Sequence, residues 1–411
     1  MKGDTLSGST VPGPWWGEPA GLDPIALPTS AEAVVVGGGI LGLASAYWLA
    51  RAGIRPLLLE QDRLGAGATG RNGGFLPIGT AVDHDALVER LGRDAARELL
   101  ALTLENRRLA EAVIREEELA CDFRPVGHLH LCLGEVEQEA GARLAGLLTE
   151  DGSRTDQLTR SETQGMVGTL LGPRITGGLF FRDIALVHSG KLVQGLATAA
   201  ARRGVTLARA TVQSIAGRPG LAEVRTNRGL VSTPRLIVAV NAWMDQLLPD
   251  LGRLITPVRG QVLAFAPVPS AFRTGMTAVV TPTEEYWQQT LDGSIILGGC
   301  RAVREDRDEG VRDCTPTVDV QAALEQVLPG LFPHLGPLQV THRWAGPMAF
   351  TADRLPVLAG IPQWSAWAAG GFSGHGMSLT MVLGAQLANL ALGQAGDPRL
   401  RHFHPSRLRG T

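Results

Sequence analysis

Residues 31–60, AEAVVVGGGILGLASAYWLARAGIRPLLLE, constrain the fold more than any other stretch. A hydropathy window alone would take them for a membrane span. A span, however, needs about 20 uninterrupted apolar residues in one helix, and here four glycines fall within the six positions 37–42 and Arg51 follows. Residues 33–36 are a short β-branched run, Gly37, Gly39 and Gly42 then spell G-x-G-x-x-G, and residues 44–52 carry a helical pattern. The chain resumes with RPLLLE, a second buried strand ending in Glu60 at the spacing expected of a ribose 2′-hydroxyl partner. In such a βαβ unit the first glycine permits a tight turn and the second admits backbone close to a pyrophosphate. The third lets the helix pack on the strand, and the helix N-terminus receives the phosphate charge. An acid at Glu60 argues against a 2′-phosphate and so against NADP. The unit predicts dinucleotide binding and leaves nicotinamide and flavin both open.

Composition narrows the partners. The length of 411 residues predicts two or three domains, and Lys+Arg 38 against Asp+Glu 40 offers no basic field for nucleic acid or anionic lipid. Cys121, Cys132, Cys300 and Cys314 lack C-x-x-C spacing and are too few for a disulfide framework, which suits a reducing cytoplasm. Residues 1–30, including VPGPWWGEPAGLDPIALP, are proline- and glycine-rich without the pattern of a secretory signal, and predict an irregular leader pinned to the surface by Trp15 and Trp16. His84, His128, His130, His188, His334 and His342 are too scattered for a metal site, so no metal is expected.

Two further glycine clusters bear on the choice of dinucleotide. Directly after Glu60 comes QDRLGAGATGRNGGFLPIG, in which backbone N–H groups are free to close over a second part of a long, flat ligand. A nicotinamide domain has no evident need for it. Far along the chain, the apolar run 364–369 leads into GGFSGHGM and a long helix through Leu392, repeating strand, glycine turn and helix N-terminus. Between them, VTLARATVQSIAG, AEVRTNRGLVS and RLIVAVNAW read as successive strands, and TPVRGQVLAFAP, EEYWQQT and GSIILGGCR as strands of another sheet.

Taken together, VVVGGGILGLASAYWLARAG, Glu60, GATGRNGGF and GGFSGHGMSLT resemble the D-amino-acid oxidase superfamily of FAD oxidoreductases. The TGRNGG loop and the Trp-Trp leader are most similar to the gamma-glutamylputrescine oxidase group, and more distantly to glycine oxidase and sarcosine oxidase. The resemblance implies a mixed α/β chain with a Rossmann-like FAD-binding domain, discontinuous over 31–85, 155–245 and 344–400. A substrate domain on an antiparallel sheet would take 86–154 and 246–343. It also implies which residues meet FAD: Gly37, Gly39, Ile40, Leu41 and Gly42 at the pyrophosphate, Glu60 and Gln61 beside the ribose, and Gly67, Ala68, Thr69, Arg71, Asn72, Gly73 and Gly74 in the loop. Val212 would bring backbone to the adenine and Asn241, Ala242 and Trp243 would close the domain. Gly346, Gly371, Ser373, Gly374, His375, Gly376, Met377 and Ser378 would surround the ring, where a helix N-terminus stabilises the charge of the reduced flavin.

Departures from the family pattern shape the chemistry. Relatives with covalent flavin carry cysteine near Gly346, so FAD is expected to be held without a covalent bond. Met348 stands where glycine oxidase and D-amino-acid oxidase carry a carboxylate-clamping arginine. Ser378 and Phe75 stand where sarcosine oxidase carries lysine and arginine, and Lys2 and Lys191 are the only lysines in the chain. Methionine cannot replace an arginine fork, which favours an amine over an α-amino acid unless Arg259 or Arg301 supplies another clamp. The implied reaction is loss of hydride from the amine α-carbon to flavin N5, followed by hydrolysis of the imine, and it needs neither triad nor metal. Phe75, Tyr286, Trp287, Arg301, Met348 and His375 are the substrate-pocket candidates. His375 is read as a proton-transfer group or as a structural one, and Arg71 as facing the flavin or tying the loop down. Oxygen or another acceptor completes the cycle. The alternatives are oxidation of a D-amino acid or N-methyl amino acid through a non-standard clamp, and a flavin-binding subunit without turnover of its own.

Overall fold

The computed structural model describes Leu22 and residues 25–408. Trp15 and Trp16 lie outside these residues. The βαβ unit forms as expected: β1 (Ala33–Val36), α1 (Ile40–Arg51) and β2 (Pro56–Glu60). With β8 (Thr206–Arg209), β12 (Leu236–Val238), β18 (Val357–Ile361) and β19 (Ala366–Gly370) they build a six-stranded sheet in the order β18-β19-β12-β1-β2-β8. All neighbours are parallel except the edge pair β18 and β19.

Both faces of this sheet are covered, as a parallel sheet requires, and the strand period of two divides β1 between them. Ala33 and Val35 join the helical layer of α1, α3 (Arg93–Glu116), α6 (Ser189–Arg202) and α10 (Thr380–Ala391). Val34 and Val36 meet the meander β9 (Val212–Arg218), β10 (Leu221–Thr226) and β11 (Gly229–Thr233). The two glycine-led helices, α1 and α10, pack on each other so closely that a Cβ on Gly384 would lie 2.6 Å from Cβ of Ala44.

A second sheet of eight strands runs β17-β13-β16-β15-β14-β4-β6-β5. Its members are β4 (His128–Cys132), β5 (Thr155–Thr159), β6 (Gly177–Phe181), β13 (Thr256–Phe265), β14 (Gly275–Ala278), β15 (Glu285–Gln289), β16 (Ile295–Gly298) and β17 (Val340–Phe350). It is antiparallel but for the β14–β4 pair. Its outer face is packed by α9 (Val318–Leu331) through Val320, Leu324 and Leu328. Helices α2 (His84–Leu91) and α4 (Glu135–Glu150) flank its β4–β6 end, a small pair of strands, β3 (Phe75–Leu76) and β7 (Ala185–Leu186), joins the glycine loop to it, and short helices α5 (Arg160–Met166), α7 (Met244–Leu247) and α8 (Pro249–Gly252) fill the connections.

The domain boundaries drawn from sequence shift at two places. The expected return to the FAD-binding domain at 155 is too early, because β6 pairs with β4 and β5 with β6 in the substrate sheet. Helix α3, expected in the substrate domain, packs instead into the helical layer: its apolar stripe Leu99, Leu102, Ala110 and Val113 shares one core with Leu383 and Leu387 of α10. No helix among the described residues is long and apolar enough to cross a membrane.

Candidate functional site

Between the two sheets runs a cleft of about 1410 Å³, larger than the ~300–1,000 Å³ that hold a single small ligand. One end is built by the βαβ turn. Gly37 sits at φ 108°, and a Cβ on Gly42 would overlap the Gly37 carbonyl oxygen, so the third glycine lets the helix start against the strand and does not itself face the cleft. Gly37, Gly39, Ile40 and Leu41 do. The N-terminus of α1 has no side-chain cap from Gly39, and its Ile40 amide donates to Thr69 Oγ1 at 3.2 Å. Beside it Glu60 accepts from the Gly38 amide (2.7 Å) and the Asp62 amide (2.9 Å). Burial pushes its carboxyl above the usual range, against the pull of these amides. Gln61, Val212, Asn241 and Trp243 line the same end.

The loop after Glu60 spans the middle, with Gly67, Ala68, Thr69, Arg71, Asn72 and Gly73 on the cleft. Arg71 lines the cleft and ties the loop down, donating from Nε to Ala66 O (2.8 Å) and from Nη1 to Ala345 O (2.7 Å). The substrate sheet answers through Trp344 Nε1 to Arg71 O (2.9 Å) and Gln288 Nε2 to Gly73 O (2.6 Å). Asn72 accepts from the Gly74 amide at 2.8 Å. Gly74 itself is turned away from the cleft.

At the other end β17 and the late glycine turn meet. Gly346, Ser373, Gly374, His375, Gly376 and Met377 line the cleft, whereas Ala242, Gly371 and Ser378 stand behind it. Those three act through the backbone frame. Gly371, at φ 74°, donates its amide to Asn241 Oδ1 (3.0 Å), and Ser378 Oγ donates to His375 O (2.8 Å). A 3-10 turn, Gly376–Ser378, intervenes before α10, so that helix begins slightly later than the glycine pattern suggests. Buried Asn106 of α3 pins this region, donating to Met377 O (2.9 Å) and accepting from the Met381 and Val382 amides. Burial lowers the His375 pKa, which favours the neutral imidazole.

The substrate-pocket candidates separate. Phe75, Tyr286, Arg301, Met348 and His375 line the cleft, and Phe75 and Tyr286 stand edge to face at 5.9 Å. Trp287 does not belong with them. Alternation along β15 turns it to the opposite face, fully buried against Phe272 and Phe332 beneath α9. Arg259 is corrected as well: its guanidinium is held by Asp308 (3.1 and 2.8 Å) and by Thr315 O. Of these two arginines only Arg301 faces the cleft, as Arg71, Arg253, Arg307 and Arg354 also do, and its guanidinium lies 5.2 Å from the Phe350 ring centroid. Lys191 is paired with Asp122 at 2.8 Å.

Sequence reasoning missed a polar group in the same cleft. His128 and His130, two apart on β4, share the Thr277 hydroxyl at 2.9 Å each, and His130 Nδ1 lies 3.3 Å from Glu284. Burial, the largest single influence, raises Glu284, but the His130 hydrogen bond and the nearby His130, His128 and His375 rings together outweigh it and hold the carboxyl below its usual range. Burial pushes His128 down to about 4. The signal was present in HLHLC, whose alternation puts both rings on one face.

An uncapped helix N-terminus, an acid at the end of the second strand and two glycine turns facing one long cleft are the donor set of a flavin dinucleotide. Residues 32–390 match the model of the FAD dependent oxidoreductase family. The chain belongs to this family, and FAD is its cofactor. It is 28% identical over 384 residues to the probable oxidoreductase OrdL of Rhizobium meliloti, and 27% identical over 373 residues to gamma-glutamylputrescine oxidoreductase of Escherichia coli, in each case covering 89% of this chain and 84% of the relative. Among solved structures, glycine oxidase from Geobacillus kaustophilus superposes with a TM-score of 0.80 at 22% identity, covering 93% of this chain and 100% of that one. L-proline dehydrogenase from P. horikoshii gives 0.79 at 23%, covering 93% and 98%. These two likenesses concern the fold.

Proposed function

We propose that the protein oxidises a C–N bond of a primary or secondary amine to an imine, which water then hydrolyses, with FAD held non-covalently. The observation that carries the reading is Met348 on the cleft wall, flanking Gly260 of β13, where the family's clamp arginine would stand. A thioether offers an α-carboxylate no fork. Non-covalent binding is supported at Gly346, where a Cβ would run into the Arg71 side chain, so the space a cysteine would need is already taken.

Bound FAD supplies the hydride acceptor for the amine α-carbon. The chain's own residues orient and dehydrate that carbon. Tyr286 and Phe75 form one wall, and a Cβ on Gly73 would come within 2.7 Å of both rings, so its absence lets the loop close on them. Burial pushes the Tyr286 phenol up to about 12, which keeps it an uncharged donor through the working range. Neutral His375, beside the ring-facing turn, is placed to accept the proton an ammonium substrate must shed before it reacts.

A second reading is favoured by Arg301, which faces the cleft and offers a carboxylate an alternative handle. Matched pairs, each an amine and its α-carboxylated counterpart, decide between the two. The first reading expects kcat/KM at least tenfold higher for the free amines. A preference of that size for the carboxylated forms, lost in Arg301→Met, would establish the second. Peroxide release against dye reduction with the same amine assigns the acceptor.

A further inference from the structure

The cleft continues past Tyr286 along a row of rings. Centroids step 5.9 Å from Tyr286 to Phe75, 5.4 Å from Phe75 to His128 and 6.3 Å from His128 to Phe181. Beyond Phe181 its lining is Ile78, Leu100, Leu144, Leu148, Leu179 and Ile184, drawn from α3, α4, β6 and the loops beside them. Ile78, Leu100, Leu148 and Ile184 form one small apolar cluster, with Leu144 and Phe181 packed against it. Protein interiors seldom leave such side chains around open space.

The branch is also uncharged. His128, the one titratable ring on its approach besides Tyr286, is kept neutral by burial. His84, which also faces the cleft, is spoken for: its Nε2 lies 2.8 Å from Asp151, whose carboxylate is bound in turn by Arg93 (2.9 Å) and Arg97 (2.6 Å). Charged groups elsewhere in the cleft, among them Asp83, the His130–Glu284 pair and Arg301, belong to other elements, the N-cap of α2, the β4 and β15 edge and the turn after β16. A charged or hydrogen-bonding group entering the branch would lose its water and find no partner there.

We infer that this branch is the specificity pocket of the amine site and takes the apolar arm of the substrate, an alkyl or aryl group carried away from the oxidised carbon past His128. The inference rests on the amine reading proposed above. It makes glycine-sized molecules poor substrates, because they leave the branch to water.

The test uses the FAD-loaded protein and a series of α,α-dimethyl alkylamines of increasing chain length. These lack the α-hydrogen, so they bind without reacting, and binding is read from the perturbed flavin absorption. The dissociation constant is expected to fall up to about fourfold per added methylene, the full-burial figure, and then to level off. Leu144→Trp, at a position on α4 that is only partly buried, is expected to flatten that slope. Leu148→Ala is expected to extend it to longer arms, and serves alone if the tryptophan variant does not retain FAD. A wild-type slope of zero, or a slope indifferent to both substitutions, overturns the inference. The two readings fail separately: a slope without flavin bleaching by the parent amines removes the oxidation and keeps the branch, whereas bleaching with no slope does the reverse.

Discussion

At the scale of single residues, His128 shows how burial converts an ordinary side chain into a condition on the fold. Its folded pKa, about 4, lies below the ordinary imidazole value of 6.5. As pH falls through 6.5 the unfolded chain takes up the proton first, so stability drops between 6.5 and 4 and is unaffected by this group above that window. The shift corresponds to at most about 3 kcal/mol. Urea midpoints measured from pH 7 to pH 4 should therefore fall less steeply in His128→Gln than in the parent. An equal slope in the two would mean that the ring is not held neutral. Individual residues were legible where a local rule fixes them: Gly37 and Gly42 by the turn, Glu60 by its place at the end of β2. Trp287 was misread beside Tyr286 because both are large and aromatic. Strand alternation divides them, but which of the two faces the cleft depends on where α9 packs. Arg259 was equally undecidable, since its partner Asp308 lies 49 positions away.

Among elements, α10 and the turn before it are positioned by a residue on another helix. Asn106 of α3 makes three hydrogen bonds to backbone around Met377–Val382. Replacing it by leucine strands buried backbone groups, at a cost of roughly 3 kcal/mol. It should also shift the absorption of bound FAD, because the glycine turn facing the cleft loses its anchor. Chemical denaturation together with the visible spectrum checks this, and a destabilised variant with an unchanged spectrum would separate α10 from cofactor positioning. The strands and helices of the βαβ unit were readable from periodicity and glycine spacing. The partner of α3 was not. Its apolar stripe marks a buried face without naming what covers it, and the same limit misplaced β5 and β6, whose addition to the sheet through the β6–β4 pair is a tertiary choice.

Over the whole molecule, one loop couples two sheets. Residues 66–74 follow the strand that carries Glu60 and are gripped by Arg71 to Ala345 O, Trp344 to Arg71 O and Gln288 to Gly73 O. The dinucleotide end and the substrate wall are thereby held in register, and the long cleft between them is the feature that motif spacing foreshadowed and only the assembled fold displays. The amine reading stands on that cleft: a flavin-binding frame whose substrate wall carries Met348 in place of a fork. Anaerobic addition of amines with apolar arms to the FAD-loaded protein tests it most directly. The account predicts that the flavin absorption bleaches and that the matching aldehyde or ketone appears after hydrolysis. Flavin that stays oxidised with every amine yet bleaches with α-amino acids would contradict it.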